Sequence, residues 1–240
     1  MNYEIPVCSS CTIKSCMIQR FVSPEWKLII EKRKVVSLYK KGQILFNEGN
    51  PVTGVYFIYS GKVKIFLNSP GGKVHITRLA SVGDIVGHRG FNYEKIYPAS
   101  ASAIEDALIG YIPMSDFIDA LNNNPPLFNE LLFFLGEELK RSEYKLRSFS
   151  EITVKQRLAE ALLNIRRVFG EKTIGKKKVL DAVLSRQELA DMTGASIEEI
   201  IRTISQMKKE GIIQTIEKNI SIKSDKKILS LIEGFPDFWK

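Results

Sequence analysis

Two capping signals on either side of a glycine constrain this chain more than any other feature. Ser185 is followed three positions later by Glu188, and Ser196 by Glu199, with Gly194 between the pairs. In such a pair the serine hydroxyl accepts from the third backbone N–H, and the glutamate reaches back to the serine N–H, so each pair fixes a helix start. Leu189, Ala190 and Met192 give the first helix an apolar face, and Ile200, Ile201, Ile204 and Met207 recur at helical spacing in the second. Gly194 supplies the positive φ of a sharp helix–helix turn, and Gly211 stands where a C-cap belongs. A short alternating strand pair follows. Two short helices about a tight turn, then a hairpin, is how a chain lays one helix into a DNA major groove. A helical hairpin inside a core carries the same local signals, so the rest of the chain must decide.

The 240 residues suffice for one large or two small domains, and 44% hydrophobic with 26% charged residues is a globular composition. The formal net charge is +8, which favours a polyanionic partner. Residues 151–240 carry 17 Lys and Arg against 13 Asp and Glu, and residues 1–150 carry 18 against 14, so positive charge is denser in the C-terminal stretch. No apolar run reaches bilayer-spanning length and the N-terminus lacks a basic-then-apolar signal, so no membrane partner and a cytoplasmic location are expected.

Four stretches follow from the patterning. Residues 1–20 form a leader holding every cysteine. Residues 21–121 form a domain whose 35–115 portion has short β-branched and aromatic runs broken by glycines, which predicts an antiparallel sandwich or roll. Residues 122–150 begin at Asn122-Asn-Asn-Pro-Pro126 and form a long helix. On it Leu131, Leu135, Ser142, Leu146 and Phe149 approach a 3/4 spacing, suiting either a dimer seam or packing on the chain's own β-domain. There Glu137, Glu138, Lys140 and Arg141 supply charge. Residues 151–240 are the helical, basic remainder, with Lys176-Lys-Lys178 expected in a loop.

This order resembles the CRP/FNR family of bacterial transcription regulators over nearly the whole chain. The resemblance rests on Lys41-Gly-Gln-Ile-Leu-Phe-Asn-Glu-Gly49, Tyr56-Phe-Ile-Tyr-Ser-Gly-Lys-Val-Lys64, Gly83-Asp-Ile-Val-Gly87 and Leu184-Ser-Arg-Gln-Glu-Leu-Ala190. It implies an α+β fold: an N-terminal antiparallel β-roll (a double-stranded β-helix like the cyclic-nucleotide-binding domain), a dimerisation helix and a C-terminal winged helix-turn-helix. It also implies a homodimer that reads a near-palindromic operator in double-stranded DNA under allosteric control, with RNA polymerase as a further partner.

By that resemblance base reading falls on the helix from Ser196, whose first turn offers Ser196, Ile197 and Glu198, with Arg202 one turn on. Glu198 and Arg202 match the family's base-contacting glutamate and arginine; Glu accepts from cytosine N4 and Arg bridges guanine O6 and N7. The cyclic-AMP receptor has a second arginine where this chain has Ile197, whereas the fumarate–nitrate regulator has an apolar residue there, so the FNR-like branch is the nearer one. That regulator carries a contacting serine where this chain has Ile201. Ser185 and Arg186 are expected to hold phosphates.

For the effector, the family's ribose-gripping glutamate and phosphate-gripping Arg-Ser pair are replaced by His88, Tyr97 and Pro98. A proline has no N–H to offer a phosphate, which argues against cyclic AMP. His88, Arg89 and Tyr97 remain as an effector pocket. The leader's Cys8, Cys11 and Cys16 resemble the family's ligands to an oxygen-labile [4Fe–4S] cluster, but the second gap is one residue short and the fourth cysteine aligns with Gly110. An iron–sulfur cluster with an outside ligand, zinc with His75 or His88, and unligated thiols are three open readings. Two histidines in all are too few for a cupin-type metal enzyme, and no nucleophile elbow or phosphate loop is present, so the chain reads as no enzyme. The alternative is a cyclic-nucleotide- or small-ligand-binding module that regulates a protein partner; it leaves the capped pair at 185–211 unexplained.

Overall fold

The computed structural model describes residues 7–234. Eight strands build the N-terminal β-structure: β1 (Val35–Tyr39), β2 (Ile44–Phe46), β3 (Gly54–Ser60), β4 (Val63–Asn68), β5 (Val74–Ala80), β6 (Ile85–Val86), β7 (Ser100–Ala103) and β8 (Ala107–Pro113). They form two four-stranded sheets of order β1-β8-β3-β6 and β2-β7-β4-β5, and the recorded pairings are antiparallel. Five consecutive residues of β3, Gly54–Ile58, are buried. Strand side chains alternate between faces, and here both faces are covered. Tyr56 and Ile58 join the core of the roll with Phe46, Ile65, Val86 and Ile109. Val55 and Phe57 turn the other way, onto α1 (Met17–Phe21), α2 (Pro24–Arg33) and α3 (Met114–Asn123) through Ile18, Ile30 and Phe117. Cys8 and Cys16 belong to this second cluster, so the leader is part of the core and α1 runs through its expected boundary at residue 20.

The long helix α4 (Pro125–Glu151) starts on the proline pair, as Pro suits a first turn. Asn122 and Asn123 belong to α3 instead. The chain divides into two compact units: the described residues up to Asn68 with Thr77–Leu139, and Ser69–Ile76 with the described residues from Lys140. The division falls within α4.

The second unit holds α5 (Val154–Phe169), β9 (Glu171–Ile174), β10 (Lys177–Leu180), α6 (Arg186–Thr193), α7 (Ile197–Lys209), β11 (Ile213–Ile216), β12 (Asn219–Ile222) and α8 (Asp225–Ser230). β9–β10 and β11–β12 are antiparallel hairpins. Lys177 and Lys178 therefore lie in a strand, not the expected loop, with only Lys176 in the turn. Both capping boxes of α6 and α7 are formed in full. Gly194 sits at φ 66° and ψ 18°, and a Cβ there would stand 2.7 Å from the Phe149 ring. Gly211 lies one residue past the helix cap rather than at it, at φ 68°. Its N–H reaches Lys208 O, and that of Ile212 reaches Met207 O, the double bond pattern that ends a helix on a left-handed residue.

Candidate functional site

Helix α7 is held by its buried stripe: Ile200, Thr203, Ile204 and Met207 face inward. Its other side presents Ser196, Ile197, Glu198, Ile201, Arg202 and Ser205, all exposed. Ile201 was expected in the buried stripe with Ile200; at 50% exposure it belongs to the outer face, because one residue of rotation separates the two sides. Capping engages Glu199, whose carboxylate accepts from Ser196 N–H at 3.0 Å and from its hydroxyl at 3.2 Å. That leaves Glu198 outside the cap, and among the described residues neither Glu198 nor Arg202 has a hydrogen-bonding or ion-pair partner. At the start of α6, Ser185 is engaged with Glu188 and Arg186 is half-buried.

In the roll, the 3-10 turn His88–Gly90 follows β6 through Gly87, which has φ 84°. His88 Nε2 lies 2.7 Å from Oε2 of Glu138, a buried carboxylate on α4. Arg89 Nε donates to the same oxygen at 2.9 Å, and Arg78 Nε of β5 stands 3.0 Å from Oε1. The sequence counted Glu138 only as one of four charges on this helix; the two guanidiniums and the imidazole hold it inward. Burial pushes its carboxyl up, but the His88 hydrogen bond and the charges of Arg78 and Arg89 outweigh burial and hold it well below the usual carboxylate range. Burial pushes the His88 imidazolium the other way, below its ordinary value, against the pull of Glu138. Arg78 also donates to Ile85 O at 2.8 Å and lies 5.1 Å over the Phe134 ring. Nothing in the chain's patterning announced Arg78 or Glu138.

A cavity of about 290 Å³, part of it open to solvent, is lined by Arg78, His88, Arg89, Phe46, Ile65 and Tyr97, with Val86, Gly87, Gly90, Pro98 and Ala99. Tyr97 contributes its ring alone. It stacks on Phe46 at 4.2 Å, and its hydroxyl donates to Gly54 O at 2.8 Å and accepts from Gly54 N–H at 3.2 Å. The phenol is thus engaged by β3 backbone and is withdrawn from any effector.

Cys8, Cys11 and Cys16 line a second cavity with Tyr59 and Gly110, and no histidine lines it. A Cβ at Gly110 would meet the Tyr59 ring at 2.5 Å, so an aromatic ring fills the place of the family's fourth ligand. Lys34 Nζ is 3.4 Å from Cys8 Sγ and 2.9 Å from Glu31. Burial pushes the Cys8 and Cys16 thiols up, which favours the protonated form; Lys34 offsets part of this at Cys8. Among the described residues no three His, Cys, Asp or Glu side chains are gathered as a metal requires. These residues do not fit a four-ligand cluster or a tetrahedral zinc site.

Two family models match the chain: the cyclic nucleotide-binding domain over residues 36–124 and the Crp-like helix-turn-helix domain over residues 156–229. The chain is 26% identical over 231 residues to the anaerobic regulatory protein of Pasteurella multocida, covering 94% of this chain and 81% of the relative. It is 25% identical over 229 residues to the fumarate and nitrate reduction regulatory protein of Escherichia coli K12, covering 93% and 89%. FixK2 of Bradyrhizobium japonicum shares the fold, with a TM-score of 0.72 and 21% identity over 82% of this chain and 96% of that one. A roll matched by one model, a capped helix pair matched by the other and relatives aligned across both make this chain a DNA-binding transcription regulator of the CRP/FNR family, of FNR-like type.

Proposed function

We propose that the protein is a cytoplasmic homodimer whose α7 helices read the two halves of a near-palindromic operator through Ile197, Glu198, Ile201 and Arg202. The observation that carries this reading is the exposed face of α7, whose Glu198 and Arg202 side chains have no hydrogen-bonding or ion-pair partner among the described residues while Glu199 serves the cap. Arg202 offers the bidentate donors that suit guanine, Glu198 accepts from cytosine N4, and the two isoleucines suit thymine methyls. Ser185 and Arg186, at the start of α6, serve as phosphate contacts; the engaged Ser185 side chain leaves its helix N-terminus and Arg186 to do so.

Dimerisation is assigned to α4. Phe128, Leu132, Leu139, Leu146 and Phe149 are exposed, and with Leu135 and Ser142 they repeat at alternating steps of four and three. Leu131, whose spacing suited either a seam or packing on the chain's own β-domain, is buried at 3% in the core of its own unit; Leu132 next to it takes the outward place. The DNA-bound dimer is then presented to RNA polymerase. The cavity at His88 and Arg89 is the effector site.

Selection from a random-duplex library tests the reading. It should enrich an inverted repeat with half-site centres about one helical turn apart. Enrichment of a single unrepeated site would remove the dimeric reading.

A further inference from the structure

Cys8 shares its surroundings with a buried amine that DNA reading does not use. Lys34 stands at the C-terminal end of α2, and its side chain is 2% exposed. Its Nζ lies 3.4 Å from Cys8 Sγ, 2.9 Å from the Glu31 carboxylate and 5.2 Å from the centre of the Tyr59 ring. Glu31 also accepts from the Cys8 backbone N–H, so one carboxylate holds the thiol and the amine side by side. The Tyr59 hydroxyl is 3.8 Å from Cys8 Sγ. An ion pair at a helix end can be made at the surface, whereas taking an ammonium out of water is costly, so its burial against a thiol calls for a reason. The same thiol lines a cavity of about 340 Å³, part of it open to solvent, with Ile18, Phe57 and Ile112 among its walls. Walls of that kind admit a small uncharged molecule more readily than an ion.

We propose that Cys8 and Lys34 together capture a small aldehyde, whose carbon becomes a covalent bridge between sulfur and nitrogen. The carbonyl class follows from the pair: an amine condenses with a carbonyl carbon, and a thiol adds to the C=N bond so formed. Lys34 passes one ammonium proton to Glu31, and the amine nitrogen attacks the aldehyde carbon. The carbonyl oxygen leaves as water with the two remaining amine protons. Cys8 then adds across the C=N bond, its sulfur to carbon and its proton to nitrogen. Burial favours the thiol that still carries this proton. No oxidant or reductant is consumed. The bridge joins the 3-10 turn Cys8–Ser10 to the end of α2, so an aldehyde fastens the leader to the core beneath it.

Full-length wild-type protein, Lys34→Arg and Cys8→Ser are each treated with isotopically labelled formaldehyde, equimolar with the chain, and followed by carbon NMR. Wild type should give a single methylene resonance bonded to both nitrogen and sulfur, and each variant should lose it. Lys34→Arg keeps a positive charge beside Glu31, so loss of the signal there reports the missing amine rather than a missing ion pair. Persistence of the resonance in Lys34→Arg, or its absence from wild type, overturns the proposal. Should the variants fail to fold, tandem mass spectrometry of treated wild type decides. A single added carbon joining Cys8 to Lys34 supports the bridge, and a carbon joining any other pair, or none, overturns it. In wild type but not in Lys34→Arg, the aldehyde should also slow thiol labelling of Cys16 about tenfold. Unchanged labelling of a bridged protein overturns the fastening of the leader.

Discussion

Arg202 and Glu198 are side chains whose work lies outside the protein, and their removal should leave its fold intact. Arg202→Ala should lose about 1–3 kcal/mol of preference for operator over scrambled duplex while keeping weak, salt-sensitive binding; fluorescence anisotropy against both duplexes checks it. Glu138 and His88 are the opposite kind, because their charge states are set by folding. His88 is held below its ordinary 6.5, so the unfolded chain takes up a proton there before the folded one does, and stability falls as pH drops through about 6.5. Glu138 is held below its ordinary 4.5, so its contribution is full above that pH and is lost on further acidification. Urea midpoints at pH 7, 5.5 and 4 should decline in wild type, with His88→Gln flattening the upper step and Glu138→Gln the lower. A flat wild-type profile would contradict both assignments. These two residues were legible only in part. His88 stood at a family position, but Glu138 read only as one of four charges on a helix, because the cations around it come from β5 and the turn after β6, far away in sequence.

Elements were legible where their signals are local. Each capping box of α6 and α7 lies within four residues, and both formed as the sequence implied. The face of a helix is less secure, since each residue turns it by 100°. That is why Ile201, grouped by spacing with the buried Ile200, stands on the exposed side, and why spacing alone left Leu131 open between a seam and the core that buries it. The lysine run shows the same limit for strands: three consecutive like charges carry no alternation to mark β10. At the α6–α7 turn, Gly194→Ala should cost about 2 kcal/mol, combining left-handed backbone strain with a clash against Phe149. Thermal unfolding measures it, and an unchanged midpoint would mean the turn relaxes freely. On α4, Leu139→Glu should shift the protein toward monomer in sedimentation at micromolar concentration, whereas the same change at Phe133, 73% exposed but off the seam, should not.

For the whole molecule, the roll and the capped helix pair were readable because strand breaks and cap spacing are written in contiguous stretches of sequence. The ligand chemistry was not, because a pocket is assembled from residues that share no sequence neighbourhood. The thiol cavity makes the point: spacing alone suggested ligands, but the ring of Tyr59 over Gly110 and the ammonium of Lys34 against Cys8 come from β3 and from the end of α2. The burial of Cys8 and Cys16 in the same core as Phe57 and Phe117, with Cys11 nearer the surface, turns the leader into a clock. A thiol reagent should modify Cys11 at once, but it can reach the other two only when the leader lifts away. Their labelling rate thus times how often this end of the protein opens, without any added probe.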